Sequence, residues 1–544
     1  MKWRNELALI RFGLMVALGA PLALVLVSSS ALAFGIAGEQ QAKLLAGDPG
    51  FGDQFGNAAA VSGETLVVGA PRNDDAGNDS GSAYVFVRSG TVWIQQAKLV
   101  ASDASAEADF GRVVALDGDI AVIGAPQETP FIGNGSAYVF VRNGSVWTQQ
   151  AKLTAGDGAV NDNFGLTVAV SGTTVMVGAP FHELNGAPGI SHGAVYVFVQ
   201  QGVSWEQQAK LTAFDAFDQT HFGQALALDE DTVAVGALDF TGTGLPGSSI
   251  YVLTRVGSDW SQQAKLGDPN RNFTDGFGTA LSLDGDTLVA GLPGTDLTFN
   301  NSGTVEIFVR NGSSWSLQAT VLADDPVLSA QLGASVSVSG DTLVAGAPGD
   351  DDAGAKSGSA YVFVRQGASW SLADKLVADD GMALDQVGFS VSVDGDIAAL
   401  GGPTINGFEF STGKAYVFVL EPTPWLDLGA GLAGTAGVPS LVGTGSLVGG
   451  QPVVLTLTGA ATFSPATMVV GLSVLGLPFK GGTLVPFPDL LLPLQSDGLG
   501  SVTFGVSWPL GVPPQTAISF QYWIVDPGGP LGFSASNATT GLTP

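Results

Sequence analysis

The 544-residue chain contains no cysteine. Disulfides, thiolate nucleophiles, cysteine-ligated zinc, iron–sulfur clusters and a lipidated N-terminal cysteine are thereby excluded. Basic residues are scarce: 20 Lys and Arg stand against 49 Asp and Glu, a formal net charge of -29. Nucleic-acid recognition needs a basic face, and anionic lipid repels an acidic surface, so both partner classes are disfavoured. Only three histidines occur, His182, His192 and His221. No Gly-x-Ser-x-Gly elbow, no His-Glu-x-x-His pair and no P-loop is present. Long apolar runs are missing beyond one near the start of the chain.

That run has the layout of an export signal. Lys2, Arg4 and Arg11 form a positive n-region, Leu14 to Val27 are almost wholly apolar, and Ala31-Leu32-Ala33 is a small-x-small cleavage site. Residues 1–33 are therefore expected to be removed, with a mature chain starting near Phe34 at or outside the cell surface. An uncleaved anchor is the alternative, since the run is almost long enough to span a bilayer. No other stretch reads as a spanning helix, so the mature chain is expected to lack a transmembrane segment.

What the chain has in excess is glycine, 77 residues, and repetition. Phe-Gly, a short gap, Gly-Ala-Pro, Tyr-Val-Phe-Val, Trp and Gln-Gln-Ala-Lys-Leu recur in that order about every 55 residues. The Phe-Gly steps are Phe55-Gly56, Phe110-Gly111, Phe164-Gly165, Phe222-Gly223 and Phe277-Gly278, followed by degenerate copies at Leu332-Gly333 and Val387-Gly388. Each unit carries four short segments with period-two alternation of Val, Tyr, Phe and Trp, the signal of a strand. In the second unit these are Val113 to Leu116, Asp119 to Gly124, Ser136 to Val141 and Trp147 to Leu153. Asp117-Gly118, Asp284-Gly285, Asp394-Gly395, Asn143-Gly144 and Asn311-Gly312 supply two-residue hairpin turns. Four antiparallel strands in seven copies predict an all-β fold, a seven-bladed β-propeller over residues 34–425. The last unit lacks its fourth strand and breaks at Glu421-Pro-Thr-Pro, while an orphan Gln40-Gln41-Ala42-Lys43-Leu44 precedes the first Phe-Gly. A strand at 40–45 is expected to complete the seventh blade and remove two sheet edges.

These residues resemble the FG-GAP repeat family, whose repeat also builds the propeller of integrin α-subunits. The resemblance covers about residues 38–420. Gly69-Ala70-Pro71, Gly124-Ala125-Pro126, Gly178-Ala179-Pro180 and Gly346-Ala347-Pro348 match outright; Gly236-Ala237-Leu238, Gly291-Leu292-Pro293 and Gly401-Gly402-Pro403 are variants. It implies a non-catalytic role in adhesion, matrix contact or scaffolding, with an extracellular protein or glycan as ligand. In integrins, several blades hold calcium in a loop between the Phe-Gly and the Gly-Ala-Pro. Here that interval is a tight hairpin, as in Val61 to Gly69, too short to wrap an ion. That calcium site does not carry over, and no inserted domain interrupts the blades.

Acidic residues gather elsewhere. In a four-stranded blade the 4–1 and 2–3 connections share one face. The 4–1 loops hold Asp48, Asp53, Asp103, Glu107, Asp109, Asp157, Asp162, Asp215, Asp218, Asp268, Asp275, Asp324, Asp325, Asp379, Asp380 and Asp385. The 2–3 loops add Asp74, Asp75, Asp79, Glu128, Glu183, Asp239, Asp296, Asp350, Asp351, Asp352 and Glu409. These 27 carboxylates, with few bases among them, predict an acidic face that attracts cations or basic partners. Asp74, Asp75 and Asp79, and Asp350, Asp351 and Asp352, sit in Gly-containing loops and are the candidate calcium ligands. Plain solvation of the surface is the alternative. The opposite face carries Arg88, Arg142, Arg255, Arg310 and Arg365 in 3–4 turns near Glu64, Asp119, Asp231, Asp286, Asp341 and Asp396 in 1–2 turns, within reach for pairing across neighbouring turns.

Two of the three histidines with Glu183 or Asp218 would make a metal site, although their spacing matches no ligand motif; hydrogen-bonded loop histidines are the alternative. Carboxylate pairs also permit a second reading, an extracellular hydrolase acting on polysaccharide at the propeller mouth. Residues 426–544 carry few charges, and segments at Pro452 to Leu457, Thr467 to Leu475, Ser501 to Trp508 and Ala517 to Val525 alternate or run apolar between Gly and Pro turns, the pattern of a small β-sandwich. The stretch from Phe520 to Asn537 resembles C-terminal modules of secreted bacterial proteins.

Overall fold

The structure is a computed structural model that describes residues 35–127, 134–183, 191–215, 220–238, 248–267, 273–403, 412–423, 425–429, 431–444, 447, 451–472, 474–479, 482–486, 490–508 and 516–542. The export-signal segment 1–33, with Glu128, Asp218, Asp239, Asp268 and Glu409, lies outside them.

Seven four-stranded antiparallel sheets follow one another, one per repeat, and form the blades of a propeller. The second blade is typical. Its strands are Val113–Asp117, Ile120–Ala125, Ser136–Asn143 and Val146–Leu153, paired in sequence order. The first is innermost. The second and third are almost wholly buried because both of their faces are covered by neighbouring blades. The Phe-Gly to Gly-Ala-Pro interval is a two-residue hairpin, as expected: Ser62 faces Thr65 across Gly63-Glu64.

Each Phe-Gly step is a joint between blades. Phe110 bridges to Gly81 of the preceding blade, and Phe55 does the same to Gly413. The Phe ring packs edge-on against the Tyr and Phe of its own Tyr-Val-Phe-Val strand, as Phe55 does on Tyr84 and Phe86 at 5.5 and 6.0 Å. The Gly that follows takes φ of +82 to +98° in all seven copies. A Cβ at Gly111 would lie 2.3 Å from the Ser82 carbonyl oxygen, so only glycine fits.

The N-terminal strand joins the last blade. Gly35–Leu44 pairs antiparallel with Lys414–Thr423 and becomes the outer strand of the seventh blade. It is longer than the expected 40–45 because the partner strand continues to Thr423. On the axis, each 1–2 turn donates one backbone N–H to the last side chain of the preceding blade's inner strand. Gly118 donates to Ser62, Gly172 to Asp117, Glu230 to Ser171, Gly285 to Asp229, Gly340 to Asp284 and Gly395 to Ser339. Gly63 donates to Asp394 and completes the cycle between the first and last blades, with all seven bonds at 2.5–3.2 Å.

After Thr423 the chain enters other sheets. Trp425–Gly429, Ala538–Leu542, Ala517–Val525, Pro465–Gly471 and Leu490–Gln495 make one sheet, with Phe533–Ala535 added; Ser440–Thr444, Pro452–Thr458 and Val502–Ser507 make a second. Leu441, Leu455 and Leu457 of the smaller sheet share a core with Met468, Tyr522 and Ile524 of the larger, which is sandwich packing. The expected single segment Thr467 to Leu475 is two strands, the second being Val474–Phe479 in a hairpin with Gly482–Pro486.

Candidate functional site

The Gln-Gln-Ala-Lys-Leu strand accounts for much of the chemistry on the loop face. Its first Gln accepts a hydrogen bond from the backbone of a 4–1 loop, as Gln149 Oε1 does from the Ser102 N–H at 2.8 Å. Its second Gln sits at a β-bulge, where the register shifts between Val139 and Phe140. The bulge re-aims that side chain toward the following blade. Gln96 Oε1 thus accepts from the Trp147 indole N–H at 2.9 Å, and Gln41, Gln150, Gln263 and Gln318 serve Trp93, Trp205, Trp315 and Trp370 in the same way. The Leu joins the core of the next Phe, as Leu99 does with Phe110 and Leu153 with Phe164.

The Lys of the motif reaches the loop face, where it meets the Tyr of the third strand and an Asp of the 4–1 loop. Tyr196 donates to Asp157 at 2.8 Å, and Lys210 reaches the same carboxylate at 2.6 Å. The set recurs as Tyr84–Asp48–Lys98, Tyr138–Asp103–Lys152, Tyr251–Asp215–Lys265, Tyr361–Asp325–Lys375 and Tyr416–Asp380–Lys43. Partial burial pushes the Asp48, Asp103, Asp157, Asp215 and Asp325 carboxyls up, but hydrogen bonds from the lysine and tyrosine outweigh it and hold them below the ordinary aspartate value. At Asp380 the Lys43 hydrogen bond is the largest influence, in the same direction. Burial and the adjoining carboxylate push the Tyr84, Tyr196, Tyr251, Tyr361 and Tyr416 phenols up.

These lysines correct the expectation of few bases among the carboxylates. Lys43, Lys98, Lys152, Lys210, Lys265, Lys375 and Lys414, with Arg72 and Arg112, all pair with loop-face acids. The available signal was that each Lys of the Gln-Gln-Ala-Lys-Leu motif stands two residues before a 4–1 loop. On the other face Arg142 bonds Asp119 at 2.6 Å, lies over the Trp147 ring at 5.3 Å and reaches back to Thr65 of the preceding blade. Arg255, Arg310 and Arg365 repeat the arrangement.

The two candidate calcium loops prove to be the same structure in blades 1 and 6. In blade 1, Asp74 caps the Asp79 N–H at 2.8 Å, Asp75 is ion-paired with Lys98, and Asp79 with Arg72 at 3.2 Å. In blade 6, Asp351 caps the Lys356 N–H at 2.7 Å, while Asp350 and Asp352 converge on Lys375 at 2.7 and 2.6 Å. Asp350 is 1% exposed and also accepts from Ser359. Among the described residues, no group of three or more His, Asp or Glu is placed to hold a metal ion.

His182 is the exception that sequence left open. Its Nδ1 lies 2.7 Å from the buried Asp162 carboxylate, and its Nε2 lies 2.7 Å from Lys210 Nζ. A carboxylate only accepts and an ammonium only donates, so Nδ1–H donates to Asp162 and Nε2 accepts from Lys210, and both ring nitrogens are engaged. His221 packs edge-on against Phe181.

On the axis, the cycle of turn bonds borders a cavity of about 310 Å³ lined by the paired positions Val61-Ser62, Leu116-Asp117, Val170-Ser171, Leu228-Asp229, Leu283-Asp284, Val338-Ser339 and Val393-Asp394. Four carboxylates ring it, each already accepting a neighbouring blade's N–H.

The FG-GAP repeat family matches seven stretches, residues 39–86, 93–140, 147–198, 205–253, 260–308, 315–363 and 370–418. Together they make up more than half of the chain, which belongs to this family of integrin-α-like propellers. Each stretch begins in the outer strand of one blade and ends in the third strand of the next, the one-strand offset that the N-terminal strand closes. No curated protein matches the chain. FG-GAP propellers are binding and scaffolding folds typical of extracellular proteins. Among the described residues, no helix is long and apolar enough to cross a membrane.

Proposed function

We propose that this chain is an exported, non-catalytic binding or scaffold protein that presents the loop face of its propeller to a protein or glycan outside the cell. The reading is carried by a division of labour among the residues. Those that recur are consumed in building the ring: Phe-Gly as joint, Gln–Trp as stitch, Tyr–Asp–Lys as clasp. The 4–1 and 2–3 loops between them differ from blade to blade, and variable loops on a rigid scaffold are where propellers recognise ligands. Asp74, Asp296, Asp324, Asp351 and Asp379 are exposed there with no basic partner among the described residues. Phe51, Val160, Phe214, Leu328 and Met382 are also exposed, each more than half. Apolar prongs on an acidic background support a partner with apolar and basic groups of its own.

The test is a protein and glycan array probed with and without calcium, followed by two variants. Phe51→Ser/Phe214→Ser/Leu328→Ser alters the loop face; Val203→Ser/Val256→Ser alters the other. Loss of binding in the first alone is expected. Loss in the second alone would overturn the assignment of the face, and release of a sugar product would overturn the non-catalytic reading. A calcium requirement traced to Asp74, Asp75 and Asp79 or to Asp350, Asp351 and Asp352 would make the binding cation-dependent.

A further inference from the structure

We propose that the junction of blades 5 and 6 on the loop face is a docking pad for a polypeptide segment whose apolar side chains are flanked by Lys or Arg. The inference rests on the reading that the loop face binds, and adds where and what. Three junctions whose loops are described throughout share one backbone frame. Between blades 1 and 2, the Glu107 N–H donates to the Asn78 carbonyl at 2.7 Å and the Asp109 N–H to Asp79 at 3.2 Å. Between blades 5 and 6 the same bonds run from Ser329 to Asn300 and from Gln331 to Asn301, both at 3.0 Å. Between blades 6 and 7 they run from Leu384 to Ala355 and from Gln386 to Lys356, at 2.9 and 3.1 Å. In each 2–3 loop an Asp accepts from a backbone N–H further on: Asp74 from Asp79, Asp296 from Asn301 and Asp351 from Lys356, at 2.7–2.8 Å.

On this common frame the tips differ. Asp75, Gly77 and Ala106 at the first junction, and Asp352, Gly354 and Ala383 at the third, correspond to Leu297, Phe299 and Leu328 at the second. Glycine and alanine close up at the first and third. A Cβ on Gly77 would lie 3.3 Å from the Ala106 nitrogen, and one on Gly354 would lie 3.1 Å from that of Ala383. Between blades 5 and 6 large apolar side chains stand there instead, and Leu297, Phe299 and Leu328 are 66%, 51% and 63% exposed. The Ser329–Asn300 bond makes Phe299 and Leu328 neighbours across the two loops, and Leu297 shares the turn of Phe299. The frame forms at the other two junctions without these side chains, so they do not build the ring. Grouped exposed apolar side chains of that kind mark a contact surface.

Charge selects the partner. Lys98 pairs with Asp75 in blade 1, and Lys375 with Asp352 in blade 6. Blade 5 lacks that lysine: Glu306 faces Thr320 in the register where Tyr84 faces Lys98 and Tyr361 faces Lys375. Asp296 and Asp324, on the two loops of the pad, are exposed and form no ion pair among the described residues. An apolar centre with unneutralised carboxylates beside it complements an apolar side chain flanked by cations. A neutral glycan brings no charge to meet them.

The test pans a random-peptide display library on the full-length protein and titrates the enriched peptides, as synthetic fluorescent probes, against variants. Phe299→Gly/Leu328→Ala gives blade 5 the residues that the frame carries in blades 1 and 6, so it should fold as the native chain does. Enriched peptides are expected to hold Phe, Leu, Ile or Trp beside Lys or Arg. Their affinity should fall at least about tenfold in Phe299→Gly/Leu328→Ala, and stay unchanged in Phe51→Ser/Phe214→Ser. It should weaken as salt is raised, and Asp296→Asn/Asp324→Asn should lower both the affinity and its salt dependence. Loss of binding in Phe51→Ser/Phe214→Ser alone would overturn the pad and leave the loop-face reading standing. Loss in Val203→Ser/Val256→Ser alone would overturn both. A library that yields no binder, binders without Lys or Arg, or a glycan whose binding Phe299→Gly/Leu328→Ala removes would each overturn the proposal. If that variant does not fold, Leu328→Ser alone should weaken the peptides, and unchanged affinity there overturns the proposal as well.

Discussion

Leu44 tests whether the N-terminal strand belongs to the ring. It occupies the same motif position in the seventh blade as Leu153 in the second, and the two are 4% and 3% exposed. Leu44 packs with Phe55, Leu66 and Tyr84 across the seam, as Leu153 packs with Phe164 and Tyr196. Leu→Ala removes three buried carbons, about 2.4 kcal/mol at about 0.8 kcal/mol each. The cavity left behind brings the expected loss to about 2–5 kcal/mol. Were the N-terminus a loose tail, Leu44→Ala would change almost nothing while Leu153→Ala kept its full effect. With the ring closed, the two variants should lose similar stability in urea unfolding and melt roughly 2–6 °C lower, at about 1.2 °C per kcal/mol for a unit of about 390 residues. A loss under about 0.5 kcal/mol for Leu44→Ala, beside a full loss for Leu153→Ala, would refute the closure.

Gly111→Ala places a methyl 2.3 Å from the Ser82 carbonyl oxygen at φ +92°, and should abolish soluble expression. Gly118→Ala, at φ +54° with open space around it, should cost only about 1–2 kcal/mol in a denaturant melt. Gln96→Ala strips the Trp147 indole of its acceptor and should cost about 1 kcal/mol, shrinking toward zero in a Trp147→Phe background if the bond is the cause. The pH profile should fall at both ends. The six clasp aspartates have depressed folded values, so their contribution is present above the ordinary value of 3.8 and lost as pH drops through the folded values; melting temperature should fall below pH 3.8, and a flat profile to pH 2 would contradict this. Tyr84, Tyr196, Tyr251, Tyr361 and Tyr416, with Lys98 and Lys375, have raised folded values, so their contribution is full below about pH 10 and lost as pH rises through the folded values.

Much of the fold was legible because propeller repeats are local. Strand alternation, Asp-Gly and Asn-Gly turns and the 55-residue period all act within one blade, and they place the four strands of the second unit within about two residues. The missing fourth strand of the last unit and the orphan Gln40 to Leu44 even disclosed the seam. The sandwich was less legible, because the Thr467 to Leu475 run hides a break at Leu472 and because Ser440–Thr444 and Leu490–Gln495 lack strong alternation. The site was least legible. Asp350, Asp351 and Asp352 read alike in sequence, yet the first is buried on Ser359 and Lys375, the second caps a backbone N–H, and the third is half-exposed on Lys375.

The repeat by itself determined an all-β ring of seven blades, its handover strand and its excess of acid, since these depend on residue type and spacing along the chain. Only the tertiary structure decided what each motif residue touches. The second Gln meets a Trp about 51–55 residues away, the motif Lys meets an Asp about 49–53 residues earlier, and the ring of turn bonds joins Gly63 to Asp394. Those contacts cross between blades or between loops. They exist because packing seven twisted sheets around an axis brings together groups that no local rule of the chain connects.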